Sequence, residues 1–315
     1  MEYDVCLMNI EPLHIETPLI ESLALGLGIK GTAWLKMEAS QPSGSFKLRG
    51  IGHACRQYAA RGASAFITSS GGNAGLAVAY AGRKLGLPVT VVVPETTTER
   101  TKELIKQEDA HVFVKGRSWN EAHEYALGKS GERTAYIHPF DDPLLWEGHA
   151  TIIDEIHNYG FKPDAVVLSV GGGGLLCGVL EGLHRRGWND VPVLAVETIG
   201  ADSLHAAIRA DGLVSLDRIT SIATSLGAKQ VSKRAFDWTK QHYIVSHLVS
   251  DSEAVAACMA FLRDHRLVVE PACGAALAAV YQPVAFLKDK HDVLIIVCGG
   301  VGITIEQLQG WLKQE

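Results

Sequence analysis

The stretch AVVLSVGGGGLLCGVLEGL, residues 165–183, joins a run of apolar, β-branched residues to four consecutive glycines and then to a segment rich in leucine. It reads as a buried strand, a turn and a helix. Four glycines in a row are entropically costly, so a plain connecting loop explains them poorly. A run of backbone NH groups ahead of a helix is a cradle for a phosphate. Gly171, Gly172, Gly173 and Gly174 are therefore candidate phosphate ligands.

The same alternation extends in both directions. Residues 65–68 (AFIT), 89–93 (VTVVV), 111–114 (HVFV), 135–138 (AYIH), 193–196 (VLAV) and 293–297 (VLIIV) read as strands. Residues 73–85, 97–107 and 120–129 read as helices, on apolar spacing and on their strong helix formers, and residues 303–313 as a last one. Strands alternating with helices over the whole length predict an α/β protein with mostly parallel sheets. A chain of 315 residues is long enough for two domains. The expected division is a smaller unit, 44–142, inserted in a larger one made of 1–43 and 143–315.

With 47% hydrophobic and 20% charged residues, the composition is that of a globular protein with a sizeable core. The net charge of -6 leaves no basic tract to follow a nucleic acid. The opening residues, MEYDVCLMNIEPLHIETP, lack the basic start and continuous apolar stretch of a signal peptide. The longest apolar run, near 293–305, is broken by glycines and falls short of the roughly 18 to 20 residues that cross a bilayer. Cys6, Cys55, Cys177, Cys258, Cys273 and Cys298 form no C-x-x-C pair, so neither a zinc site nor a disulfide framework is indicated. The expectation is a soluble cytoplasmic protein with reduced thiols and no nucleic-acid or membrane partner.

Three further motifs carry chemistry. SGSFKLRG, residues 43–50, sets Lys47 behind small residues where an amphipathic helix begins. The positive potential of a helix N-terminus lowers an amine pKa and suits Schiff-base chemistry. A solvated lysine on a turn is the plainer reading. SSGGNAG, residues 69–75, follows the strand AFIT and opens a helix, which makes an anion site with the Asn73 amide beside it. A tight turn capped by serine explains it about as well. VCGG, residues 297–300, puts Cys298 at the C-terminal end of a strand, where ligands of parallel sheets sit. An isolated cysteine is otherwise a small buried hydrophobe. Glu197 ends a strand where a dinucleotide fold would hold a ribose, but Leu176 and Cys177 stand where G-x-G-x-x-G needs glycine. A small terminal phosphate fits better.

Lys36-Met37-Glu38, QPSGSFKLRG, SSGGNAG, HPFDDPLLWEGHA (138–150), VGGGGLL, EPACGAALAAVY (270–281) and VCGG together resemble, in this order, the pyridoxal-phosphate enzymes of fold type II. EPACGAALAAVY and FDDPLLWEGHA narrow the resemblance to the short serine/threonine dehydratases. It runs from about residue 11 onward. The resemblance implies a tryptophan synthase β-like fold with two three-layer domains rich in parallel strands, and pyridoxal 5'-phosphate as cofactor. Lys47 would carry the cofactor as a Schiff base and act as the catalytic base, with Phe46 against the ring and Asn73 on the ring hydroxyl. Gly171 to Gly174 would hold the phosphate, and Cys298 would face the pyridine nitrogen. Ser70, with Ser45, Gly71, Asn73 and Ala74, would bind the substrate carboxylate.

A monovalent cation (K+) is implied as well, on the Glu197 carboxylate and on carbonyls near Gly171, Ala201, Leu226 and Ala228, its identity left open by the sequence. The implied reaction is β-elimination, converting L-serine to pyruvate and ammonia and L-threonine to 2-oxobutanoate and ammonia, in a homodimer. A serine/threonine racemase, a diaminopropionate ammonia-lyase or a cofactor-binding protein with little turnover would keep the same lysine and glycine run. Two positions depart from the pattern. Val301-Gly302 follows VCGG where a polar residue is frequent, and Gly71 stands where alanine also occurs, which predicts extra space over the substrate.

Overall fold

Strands Ala165–Ser169 and Val193–Thr198 are buried along their whole length, and a strand apolar on both faces needs helices on either side of its sheet. The computed structural model describes residues 11–26 and 28–313 and meets that need in two units. Cys6 and the first ten residues, on which part of the export expectation rests, lie outside the described residues. In chain order the strands are β1 (Leu19–Ser22), β2 (Thr32–Lys36), β3 (Ala65–Thr68), β4 (Val89–Val93), β5 (His111–Val114), β6 (Thr134–Tyr136), β7 (Ala165–Ser169), β8 (Val193–Thr198), β9 (Ile244–Val249) and β10 (Asp292–Ile296).

The first unit comprises Gln41–Gly148 with residues 11–15. Its sheet runs β5-β4-β3-β6, parallel throughout. Helix Lys47–Ala60 buries Leu48, Ile51, Ala54 and Cys55 on one stripe, as the amphipathic pattern predicts, and so presents Lys47 as its first residue. Helix Asn73–Leu85 follows β3 and is buried from Ala74 to Gly82.

The second unit comprises Glu16–Ser40 with residues 149–313. Its sheet runs β1-β2-β10-β7-β8-β9, with β1 antiparallel and every other pair parallel. Helix Pro271–Tyr281 is buried from Pro271 to Val280, and the Ala276 amide donates to Ser169 Oγ at the end of β7 at 3.1 Å. No helix among the described residues is long and apolar enough to cross a membrane.

Several element bounds differ from the sequence reading for visible reasons. The helix predicted at 97–107 spans Glu99–Gln107, because Thr98 caps it by accepting the Thr101 amide. The one predicted at 120–129 spans Trp119–Leu127, because Ser118 caps it by accepting the Glu121 amide. The strand predicted at 135–138 is Thr134–Tyr136, since His138 turns the chain with its own side chain. The last helix is Ile305–Leu312, capped by Thr304. β1, β2 and β9 were not predicted. β1 and β9 are edge strands with little full burial, and β2 ends in Lys36, a buried charge held by Glu155 and by the Thr17 carbonyl.

A histidine pair in the second unit ties stability to pH. His242 Nε2 donates to the Val191 carbonyl at 2.8 Å, and its Nδ1 faces His184 Nε2 at 3.1 Å. Burial pushes both pKa values below the ordinary histidine range. Below about pH 6.5 the unfolded chain therefore takes up protons that the folded one refuses, and stability falls with pH. We expect the melting temperature to be lower at pH 5 than at pH 7.5 by a few degrees. Thermal denaturation at the two pH values checks this, and His184→Leu should shrink the difference.

Candidate active site

In the first unit, two helices begin without side-chain caps. Phe46 and Gly72 occupy the two N-cap positions, and neither makes a capping bond. A helix start without a side-chain cap can present backbone amides to an anion; in the first of these helices the Leu48 and Arg49 amides donate to the Ser45 and Phe46 carbonyls at 3.3 and 3.0 Å. Lys47 Nζ donates to the Pro139 carbonyl at 2.6 Å and lies 5.1 Å from the Phe46 ring centroid. Just ahead of it, Ser43 Oγ and Ser45 Oγ are buried and have no hydrogen-bond partner. Buried hydroxyls left open in this way call for a polar ligand.

Between β3 and Asn73, Ser70 Oγ accepts the Gly72 amide at 3.4 Å, so the serine shapes the turn rather than capping the helix. Asn73 is the first helical residue, and Ala74 behind it is buried. Ser69 Oγ is hydrogen-bonded to Tyr136 Oη at 2.8 Å, and Tyr136 Oη to His123 Nδ1 at 2.7 Å. Gly71 corrects an expectation. A methyl there would lie 2.9 Å from both Thr97 Cγ2 and Oγ1, and 3.1 Å from Val93 Cγ1. The room left by the missing Cβ is taken up by Thr97 and Val93, so Gly71 does not open extra space.

In the second unit, the candidate groups sit at the C-terminal ends of three neighbouring parallel strands, β10, β7 and β8, the end where ligands of such sheets collect. Gly171 to Gly174 lead from β7 into helix Gly174–Arg185, whose N-cap is Gly173 with φ of 92° and no side-chain cap. A Cβ on Gly171 would lie 2.9 Å from Leu226 Cα, and one on Gly173 would lie 2.4 Å from Ala235 Cβ. The run is therefore bare backbone pressed against its surroundings, with helix amides at its mouth.

Cys298 follows β10 and is buried. A hydrogen bond with Cys273, and then burial, push its thiol well above the usual range, and the Glu270 carboxylate adds to the effect. A thiol in this setting stays neutral. Glu197, fully buried in β8, accepts the Leu204 and His205 amides at 2.8 Å each. Burial, with a smaller contribution from Asp202, raises its pKa to about 8 against those two bonds. Among the proposed cation ligands, Gly171 meets Leu226 as above, the Ala201 amide donates to the Thr198 carbonyl at 2.9 Å, and the Ala228 amide to the Leu226 carbonyl at 2.7 Å. Among the described residues no cluster of three or more histidine, cysteine or acidic side chains is arranged for a metal.

Sequence reasoning singled out the lysine, the asparagine and the glycines as candidates and passed over the groups that contact them. Cys273 lies inside EPACGAALAAVY, and His138, Pro139 and Phe140 lie inside HPFDDPLLWEGHA. Both segments were used only as marks of resemblance. The signal was the single cysteine in the first motif and the His-Pro pair at the start of the second.

The profile of a family described as pyridoxal-phosphate dependent enzyme matches residues 10–299. A human protein named L-serine dehydratase/L-threonine deaminase is 50% identical over 98% of this chain and 97% of its own length. An L-serine dehydratase of Dictyostelium discoideum is 46% identical over 96% of this chain and 92% of its own. Among solved structures, a fungal L-serine ammonia-lyase from Rhizomucor miehei superposes with a TM-score of 0.90 at 37% identity, covering 96% of this chain and 99% of that one.

Proposed function

This chain belongs to the pyridoxal-phosphate dependent enzyme family, and from that premise we propose that it is a lyase that eliminates water from L-serine and L-threonine. The products are pyruvate and ammonia from serine, and 2-oxobutanoate and ammonia from threonine. The observation that carries this reading is the identity of half of all residues with a human L-serine dehydratase/L-threonine deaminase along nearly the entire chain.

The residues present fit the cofactor. An amine on a half-buried helix start, two buried open hydroxyls beside it and a bare glycine run ahead of an uncapped helix match an aldehyde, an acidic substrate and a phosphate. Lys47 would hold the cofactor, with Phe46 and Asn73 beside it. The amides of Gly171 to Gly174 would bind the phosphate, and the neutral Cys298 thiol would partner the ring nitrogen. When bound, pyridoxal phosphate supplies an electron sink for the pair left at the substrate Cα.

The chain's own groups then divide the work. Ser70, the Ser45 hydroxyl and the amides of Gly71, Asn73 and Ala74 fix the substrate carboxylate. The amine of Lys47 takes the proton from Cα as general base. A neutral thiol, unlike a carboxylate, does not hold a proton on the ring nitrogen, which favours loss of the β-hydroxyl over return of the proton to Cα. Water finally releases ammonia from the unsaturated product.

Keto-acid release from L-serine and L-threonine, measured in parallel with pyridoxal phosphate and potassium supplied, tests the proposal. D-serine without keto acid would favour the racemase reading. The same proposal places the protein in the cytoplasm as a homodimer, and sedimentation of the purified chain checks the dimer. A potassium ion on Glu197 would supply the positive charge that this buried carboxylate lacks. We expect exchange of potassium for lithium to lower the melting temperature by a few degrees, and Glu197→Gln to reduce that difference. An unchanged melting temperature in the native sequence would remove the ion.

A further inference from the structure

The Pro139–Phe140 peptide group joins two observations in the first unit. Its carbonyl oxygen, on Pro139, accepts Lys47 Nζ at 2.6 Å. Its amide hydrogen, on Phe140, is donated to His138 Nδ1 at 3.2 Å. A trans peptide is planar, with C=O and N–H pointing in opposite directions, and no cis bond occurs among the described residues. The direction of one end therefore fixes the direction of the other. His138 Nδ1 also takes the Asp141 amide at 2.7 Å, and the next carbonyl, on Phe140, is held by Trp146 Nε1 at 2.9 Å. The turn is thus pinned on both sides of the plane that faces Lys47.

We propose that His138 is a positioning residue for Lys47: by accepting the Phe140 amide through Nδ1, it turns the Pro139 carbonyl onto the lysine amine. The inference rests on Lys47 being the reacting amine.

The ring itself is held in place. Its centroid lies 4.7 Å from that of Phe140, 5.8 Å from that of His123 and 6.1 Å from that of Tyr136, each nearly edge-on. An Nδ1 that accepts two amides carries a lone pair, so the proton is on Nε2 and the imidazole is neutral. Burial, then the neighbouring His123 and Lys47, push its pKa down to about 4, which keeps that acceptor available at any ordinary pH. For Lys47 the fixed carbonyl does two things. It ties one N–H and so limits where the lone pair points. It also accepts a charge-assisted bond once the amine has taken a proton, which stabilises the ammonium form.

Two substitutions separate the ring nitrogens. The amide oxygen of His138→Asn falls where Nδ1 stands, and the amide end of His138→Gln falls where Nε2 stands. In the full chain stripped of cofactor, the pH dependence of Lys47 acetylation, followed by mass spectrometry, reads the lysine directly. We expect His138→Gln to shift this profile to lower pH and to lower kcat for keto-acid formation about tenfold with KM little changed, the worth of one buried hydrogen bond. His138→Asn should stay within about threefold of the native sequence on both measures, since it retains that bond.

A native profile in His138→Gln, or a larger shift in His138→Asn than in His138→Gln, overturns the proposal. A measurement on the native sequence needs no variant. Nitrogen-15 NMR of the histidines should find His138 Nδ1 unprotonated from pH 5 to pH 8, and a proton on Nδ1 would likewise overturn it. Borohydride reduction of the loaded protein, followed by peptide mapping, decides separately whether Lys47 is the amine that holds the cofactor.

Discussion

Lys47→Ala is expected to abolish keto-acid release from L-serine and L-threonine, a loss of at least about 10²–10⁴-fold from removal of the general base alone. It should also remove the visible absorbance of the cofactor-loaded protein. The fold should persist, because Leu48, Ile51, Ala54 and Cys55 carry the buried stripe of this helix and the Lys47 side chain is only half-buried. Absorbance, keto-acid assay and thermal denaturation on one preparation separate loss of chemistry from loss of structure. Turnover at the native rate would take Lys47 out of the mechanism.

Gly173→Ala should be nearly as damaging for a different reason. At φ of 92° an alanine costs about 1–2 kcal/mol in backbone strain. Its Cβ would also stand 2.4 Å from Ala235 Cβ, an overlap relieved only by moving the loop or helix Lys233–Trp238. Such overpacking typically adds about 1–3 kcal/mol. The loop that would cradle the phosphate then shifts, and cofactor affinity should drop by at least about tenfold, as one misplaced hydrogen bond suffices for that. Titration of the visible band with pyridoxal phosphate measures it. Gly187→Ala is the control, with φ of 70° and nothing within 4 Å of the added methyl. If both variants bind the cofactor as the native chain does, the glycine run is not its phosphate site.

The parts of this molecule that were legible in its sequence are those whose physics is local. β3, β4 and β5 are short apolar runs, and helix Asn73–Leu85 was read to the residue from its apolar spacing and helix formers; the structure ends it at Gly86 in the left-handed region. β9 was not legible, because the polar residues of IVSHLV break the apolar run on an edge strand. Helix Pro271–Tyr281 was invisible to periodicity, since a helix buried all round has no polar face to set the phase. In the site, Lys47 and the glycines announce themselves by type and spacing. Their supports, His138 for the Pro139 carbonyl and Cys273 for the Cys298 thiol, act through contacts that a linear pattern does not encode.

The position of β10 has a consequence for how the chain comes to be folded in the first place. It lies between β2 and β7, with Asp292 beside Thr32 and Val293 beside Ala165. As the chain leaves the ribosome, the sheet of the first unit is complete once Tyr136 has emerged. The other sheet has a gap in its middle until Ile296 follows. Parallel pairing across so much intervening chain is slow, and meanwhile β7, buried on both faces in the finished molecule, offers an open apolar edge to any neighbouring strand. The nascent protein is therefore half native and half adhesive from the time β7 is made until β10 follows, and the strand made last closes the sheet that carries Glu197, the glycine run and Cys298.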